Sequence, residues 1–277
     1  MLRQILVLIR VRSCLAGAAV SIVGSRIVSG GSLGLEEIAA SFSVAFAIAF
    51  AQTYNDVVDR FLDEVDKPWR PLPSGRMSLL AARRVGAVAA ALSLSTALTV
   101  SLGLALFCLV VLLLSWAYSM YWKGTVLLGN LVVAVLASTA VPYGALASGG
   151  ALSLQLLAVQ ATVFTVVLAH EVVKTIRDAD GDALAGLSTL ATRAGVSVAA
   201  RVAVGLIGIS VLVCVTPALN APRPSLYLAV ALAGIVVPSL LAACLLATRV
   251  QRAQDVAKPF ALLRLAWGGM VLALLML

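Results

Sequence analysis

The chain has 277 residues, of which 62% are hydrophobic and 12% charged, with a mean hydropathy of +1.07 and a formal net charge of +8. Soluble domains carry about 45 to 50% apolar and about 25% charged residues, so a soluble enzyme is excluded, and so is a disordered chain, which is poor in large apolar residues. At about 20 apolar residues per bilayer crossing, the length holds about nine helical spans with short connections and no separate soluble domain.

The apolar stretches fall, in chain order, at 14–29, 38–54, 79–100, 104–122, 126–147, 152–173, 197–216, 225–247 and 260–277. The Arg-bearing start followed by Cys14 to Val28 has the outline of a signal peptide, but no polar domain and no convincing cleavage site follow, so it reads as the first span. The apolar run from 85 to 122 is too long for one crossing and divides at Ser101-Leu102-Gly103. Lys123-Gly124 separates the next pair, and Gly149-Gly150 and Asn220-Ala221-Pro222 are turn sequences. Cys14, Cys108, Cys214 and Cys244 lie far apart in apolar runs, without zinc or disulfide spacing, and read as packing residues. The expectation is an all-α, polytopic membrane protein: one domain over 1–277, nine transmembrane helices in one bundle.

Charge tests this division. With the N-terminus inside, only Arg26 and Arg223 of the 20 Lys and Arg residues fall outside. A miscounted span in the middle would scramble that sorting, so it supports nine crossings, a cytoplasmic N-terminus and an external C-terminus. Of the 12 Asp and Glu residues, only Glu36 and Glu37 lie on the outer side. The positive excess is therefore a cytoplasmic stripe, suited to anionic lipid headgroups.

Asp and Glu contribute little to topology, so their clustering needs another cause. The first cluster is Asn55-Asp56-Val57-Val58-Asp59-Arg60-Phe61-Leu62-Asp63, followed by Glu64 and Asp66, at the end of the second span. On a helix Asp56, Asp59 and Asp63 stack on one face, with Asn55 four residues before Asp59. Three such carboxylates repel one another unless a cation sits among them. The second cluster, Glu171, Lys174, Asp178 and Asp182, ends the sixth span with the same helical spacing. Hard oxygen ligands without a His or Cys set suit Mg²⁺, which binds through one or two carboxylates plus substrate phosphates. A phosphorylated substrate at the cytoplasmic face is the implication. Solvated loops or salt-bridged helix ends are the bland reading, and two same-face ladders on one membrane side weigh against it.

Basic residues complete the set. Lys67-Pro68-Trp69-Arg70-Pro71-Leu72-Pro73-Ser74-Gly75-Arg76 has three prolines in six positions, so it is a stiff loop rather than a helix, and it can hold Arg70 over a diphosphate. Lys123, beside Tyr118, is either a phosphate ligand or a snorkelling lysine. Lys174, one turn from Asp178, serves a phosphate or pairs with the carboxylate. His170 is the only histidine, which leaves no His-ligated metal site and favours a packing or hydrogen-bonding role. Neither a P-loop, a dinucleotide fingerprint nor a nucleic-acid module is visible, and no protein partner is evident.

These motifs resemble the UbiA-type intramembrane prenyltransferases. Asn55 to Asp63 matches their N-D-x-x-D-x-x-x-D, Arg70 to Gly75 matches R-P-x-P-S-G, and Asp178 to Asp182 matches the second D-x-x-x-D. Tyr118-Ser119 with Lys123, and Gly129-Asn130, are similar to the family's stretch between the fourth and fifth helices. The segment Glu171 to Asp182 looks most like the archaeal branch that makes digeranylgeranylglyceryl phosphate. The chain departs from the pattern at Arg10-Val11-Arg12-Ser13-Cys14, where R-P-x-N is expected, and at His170, where Arg is common.

The resemblance implies a nine-helix prenyltransferase with an isoprenoid diphosphate donor and a lipid-phosphate acceptor. It implies Mg²⁺ held by Asn55, Asp56, Asp59, Asp63, Asp178 and Asp182. Asp59, Asp63, Asp178, Asp182 and Lys174 would carry the chemistry, and Arg10, Arg70, Tyr118, Lys123 and Lys174 would bind substrate. Prenylation of an aromatic acceptor such as 4-hydroxybenzoate is the alternative within the family. A CDP-alcohol phosphotransferase fails on spacing, since Arg177 occupies the first Asp position relative to Asp180-Gly181. An ion-coupled transporter would carry its carboxylates nearer the midplane.

Overall fold

The computed structural model describes residues 1–151 and 153–277. Among the described residues the regular structure is entirely helical. In chain order the α-helices are α1 (Leu2–Leu8), α2 (Val11–Ser29), α3 (Leu35–Val58), α4 (Arg60–Asp66) and α5 (Leu79–Val100). Then come α6 (Leu102–Ala117), α7 (Leu128–Ser138), α8 (Ala140–Ala147), α9 (Leu154–Arg177) and α10 (Ala179–Leu184). The last five are α11 (Leu190–Ala194), α12 (Val196–Val213), α13 (Pro224–Ala231), α14 (Val237–Arg249) and α15 (Ala257–Leu274). Nine segments among the described residues are long and apolar enough to span a membrane, and each expected stretch falls on one of them. The expected start of the sixth, Leu152, lies outside the described residues.

The cut inside the long apolar run is where the sequence places it. Ser101 ends α5 in an extended conformation, and its Oγ accepts the Leu104 N–H at 3.1 Å, so one side chain both interrupts the helix and caps the next. The fourth span closes in a π-turn over Tyr118–Trp122, and the eighth carries another over Leu232–Val236, just before Pro238. Pro238 has no N–H for the helical ladder, and a π-turn absorbs the mismatch.

The chain divides into two compact units, Met1–Tyr121 with Ala140–Ala151 and Trp122–Thr139 with Leu152–Leu277. In the first, α3 packs against α2, α5 and α6. Helices α2 and α8 cross at backbone contact: a Cβ on Gly24 would lie 2.0 Å from the Val141 carbonyl oxygen, and one on Gly144 would lie 1.9 Å from that of Ser21. Only glycine permits this approach, which Ser25 Oγ completes by donating to the Gly144 carbonyl at 2.9 Å. Ser43 Oγ donates to the Ser93 carbonyl at 2.8 Å and lies 2.7 Å from Tyr143 Oη, so the buried hydroxyls of α3, α5 and α8 satisfy one another.

In the second unit α9 is the central element, packed against α7, α12 and α15. It buries twelve of its residues, including Val172, Val173 and Ile176. Large apolar side chains remain exposed on the outer helices, Leu106 and Leu113 on α6 and Leu212 on α12 among them. That is the surface expected of helices facing lipid rather than water.

Candidate active site

The first acidic cluster is built where α3 gives way to α4. Asp59 stands at the junction with φ −79° and ψ 0°, so the helix is interrupted there. The i to i+4 ladder still continues through it: Asp59 N–H donates to the Asn55 carbonyl at 2.9 Å and Asp63 N–H to that of Asp59 at 2.8 Å. Asn55, Asp59 and Asp63 therefore keep the one-face register expected from their spacing. Asp56, Asp59 and Asp63 are 4%, 9% and 1% exposed, which rules out an ordinary solvated loop.

Cations answer this buried charge. Arg10 Nη2 lies 2.7 Å from Asp56 Oδ1, and Arg10 Nη1 donates to Gln52. Arg10 occupies the left-handed region, φ 51° and ψ 61°, between α1 and α2. Such a conformation in a non-glycine residue persists only where its surroundings hold it. Arg70 spans the ladder, with Nη1 at 3.2 Å from Asp56 Oδ1 and 2.5 Å from Asp63 Oδ2. Lys67 pairs with Asp66 and lies 3.9 Å from Asp63 Oδ1. The repulsion inferred from the sequence is thus relieved by Arg70 itself, which reaches back into the carboxylates.

The proline-rich loop positions that arginine. Ser74 N–H and Oγ both donate to the Arg70 carbonyl, at 3.0 and 2.6 Å, and Met77 N–H donates to the Pro71 carbonyl at 3.0 Å. Arg76 closes the turn on the Trp69 carbonyl at 3.0 Å. Beneath it, Met77 packs with Leu8, Val57 and Ala82, and Leu72 rests on that cluster. The loop is stiff, as three prolines predict, and an apolar staple ties it to the ends of α1, α3 and α5.

Burial pushes the Asp63 carboxyl above the usual aspartate range; the Arg70 guanidinium opposes this, and the neighbouring Asp59 and Asp56 charges reinforce it. For Arg70 burial acts to lower the pKa, but Asp56 and Asp63 outweigh it and the guanidinium is held above its ordinary value.

The second cluster repeats the construction. Helix α9 stops at Asp178, φ −91° and ψ 4°, and α10 follows; Asp182 N–H donates to the Asp178 carbonyl at 2.8 Å. Arg177 Nε and Nη2 clamp the Asp178 carboxylate at 2.7 and 2.9 Å. Adjacent side chains on a helix do not face each other, so the sequence gives no reason to pair them; the break at Asp178 turns its carboxylate back. Lys174 pairs not with Asp178 but with Glu171, at 2.9 Å, and His170 Nδ1 lies 3.7 Å from the same carboxylate.

The segment carrying Lys123 is fixed against the loop after Asp182. Ser188 N–H donates to the Gly124 carbonyl at 3.0 Å. A Cβ on Gly129 would sit 2.7 Å from the Trp122 carbonyl oxygen, so this return needs glycine. Asn130 Nδ2 donates to the Glu171 carbonyl at 3.0 Å, which ties α7 to α9. Tyr118 opens the π-turn at the end of the fourth span. Sequence reasoning missed Gln52, the partner of Arg10, and the clamp by Arg177.

The residues suit a hard divalent cation. Asp63 Oδ1, a carboxylate oxygen, is buried without a hydrogen-bond partner among the described residues. No three His, Cys, Asp or Glu side chains among those residues converge into a cage of their own. Magnesium does not require one, because it takes one or two carboxylates and completes its shell with phosphate and water.

The UbiA prenyltransferase family matches residues 17–273 of the chain. The chain belongs to this family. It is 34% identical over 244 residues to a protein named digeranylgeranylglyceryl phosphate synthase from Hyperthermus butylicus, covering 84% of this chain and 81% of that one. A protein of the same name from Haloquadratum walsbyi is 32% identical over 219 residues, covering 76% and 74%. The fold is shared with a UbiA homolog from Archaeoglobus fulgidus whose structure holds GPP and Mg²⁺, with a TM-score of 0.73, 18% identity and 98% and 99% coverage. As a UbiA family member the chain is an intramembrane prenyltransferase, and the nine apolar helices among its described residues make it a multi-pass membrane protein.

Proposed function

We propose that this enzyme transfers a geranylgeranyl group from geranylgeranyl diphosphate to the free hydroxyl of geranylgeranylglyceryl phosphate, giving digeranylgeranylglyceryl phosphate for archaeal ether lipids. The observation that carries the reading is likeness to synthases of that name along most of both chains. The carboxylate turns at Asp59 and Asp178 agree with it.

Asn55, Asp59 and Asp63 on one turn and Asp178 and Asp182 on the other would hold Mg²⁺ with the donor's diphosphate. Held by these residues, the metal would supply positive charge to offset the negative charge of the departing diphosphate. Arg10 and Arg70, set side by side by Asp56, offer guanidinium hydrogens to the same oxygens, and Lys123 adds an ammonium; all act where charge develops as the C–O bond breaks. The apolar helices hold the isoprenoid tail and keep water from the allylic carbon. The charge asymmetry of the loops supports a cytoplasmic side for both turns and the N-terminus and an external C-terminus, and the reading takes 1–277 as one catalytic domain.

The test is an acceptor assay on purified protein. With geranylgeranyl diphosphate and geranylgeranylglyceryl phosphate, diphosphate release is expected only when Mg²⁺ is present. Turnover of 4-hydroxybenzoate without turnover of the glyceryl phosphate would overturn the assignment.

A further inference from the structure

A cleft of about 470 Å³ lies in the second unit between the end of α9 and the start of α15, and the mechanism above makes no use of it. Its lining includes Arg177, Asp180, Gln254, Phe260 and Arg264, with alanines at 253, 257 and 261. Phe260 forms one wall. The Arg177 guanidinium lies 4.2 Å from its ring centroid, and the His170 ring lies 4.9 Å away. Ala257, Phe260, Ala261 and Arg264 recur at helical spacing on a single face of α15, so two small residues leave room beside one aromatic and one cation.

Two guanidiniums on this lining have unused donors. Arg177 gives Nε and Nη2 to Asp178, which leaves its Nη1 hydrogens for another acceptor. Arg264 is exposed and makes no hydrogen bond or ion pair among the described residues. It stands about two turns inside α15, between Leu263 and Leu265 in a span that runs to Leu274. An unpaired charge within a span is costly unless an anion or water meets it. Asp180 on the rim has the wrong sign for an anion, so both arginines are needed to make the cleft attractive to one. A polar pocket with an aromatic wall and alanines beside it matches a phosphate head with the first units of an isoprenoid tail.

We infer that this cleft seats the lipid-phosphate acceptor, with its phosphate monoester between Arg177 and Arg264 and its first isoprene units against Phe260 and the alanines. The inference rests on the proposed function and names where its acceptor binds. Because Arg177 also grips Asp178, an acceptor held there has its glycerol beside the second carboxylate turn. The same phosphate chemistry is presented by any anionic membrane lipid, so the test must separate the two sources.

The test uses the full chain in vesicles of a zwitterionic lipid, with and without added phosphatidylglycerol. Arg264→Gln should raise the KM for geranylgeranylglyceryl phosphate about tenfold or more, the loss of one charge-assisted hydrogen bond. The KM for geranylgeranyl diphosphate should not move, and Arg264→Lys should recover part of the loss. An unchanged acceptor KM in Arg264→Gln, or a change only in the response to phosphatidylglycerol, overturns the inference in favour of a bulk-lipid contact. Direct binding of geranylgeranylglyceryl phosphate to donor-free protein separates failures: binding that is lost in Arg264→Gln without any turnover in the parent would refute the proposed reaction and leave the cleft standing. A Phe260→Ala variant that is folded and weakens that binding gives a second check independent of charge.

Discussion

The two carboxylate turns share one plan and differ in how their charge is neutralised. Each follows a helix of 24 residues, α3 or α9, that breaks at an aspartate, Asp59 or Asp178. Each resumes in a short helix carrying a second aspartate four residues on, Asp63 or Asp182. In the first turn the cations come from elsewhere: Arg10 from before α2 and Arg70 from the proline-rich loop. In the second the clamp is the preceding residue, Arg177, and its side chain is 34% exposed against 19% for Arg70. The first turn is thus a network assembled from three chain segments, whereas the Arg177 clamp of the second is a pair between neighbours with a more exposed guanidinium. Function and stability should therefore be coupled at the first turn and separable at the second.

Substitution of the breaking aspartates is expected to have the largest effect. Asp59→Ala and Asp178→Ala should each reduce diphosphate release by roughly a thousandfold or more, as expected when charge stabilisation of a leaving group is lost. If only one of the two does so, the turns are not functional equivalents.

The arginines should then separate the turns in stability. Arg70→Gln leaves Asp56 and Asp63 buried beside fewer cations, and breaking a buried pair this way costs about 3 to 5 kcal/mol. Arg177→Gln disrupts a partly exposed pair, for which about 1 kcal/mol is the expected scale. Thermal unfolding of both variants in the same detergent tests this. Equal losses would remove the distinction between a network and a local clamp.

The pH profile sharpens the contrast further. The Asp63 pKa is raised, chiefly by burial, so folding favours its protonated form. Its own contribution to stability is present below the unfolded-state pKa and is lost as pH rises through the folded one. Activity runs the other way, since cation binding needs the carboxylate. The acid limb of kcat/KM should therefore lie above the ordinary aspartate value, and Arg70→Gln, which removes an opposing charge, should move it further toward neutrality. A limb that stays or falls in that variant excludes Asp63 as its source.

Much of this was legible in the chain. Apolar run length marked the spans because lipid demands about 20 such residues per crossing, and the run from 85 to 122, too long for one crossing, divides at Ser101, whose Oγ caps the next helix. The aspartate spacing was legible because helical periodicity survives the breaks at Asp59 and Asp178. The breaks themselves were not, since nothing local distinguishes an aspartate that continues a helix from one that ends it. That is why Arg177 and Asp178 were not paired, and why Lys174 was set against Asp178 rather than Glu171. Helix α1 was also missed: seven residues are too few to show a period, and what fixes it is Leu8 packed on Val57, Met77 and Ala82. The inward reach of Arg70 depends on contacts between distant segments, which no spacing rule carries.

The smallest expected effect concerns the scaffold of the second turn. Asn130 donates a single hydrogen bond to the Glu171 carbonyl, and hydrogen bonds between helices in a membrane are worth about 0.6 kcal/mol on average. The carbonyl keeps a place in its own helical ladder, so Asn130→Ala strands no buried charge. A stability loss below about 1 kcal/mol is expected in thermal unfolding, with a modest fall in turnover because α9 carries Glu171, Lys174 and Asp178. A loss of several kcal/mol would mean that the second turn also depends on a long-range polar network, and the contrast with the first would collapse.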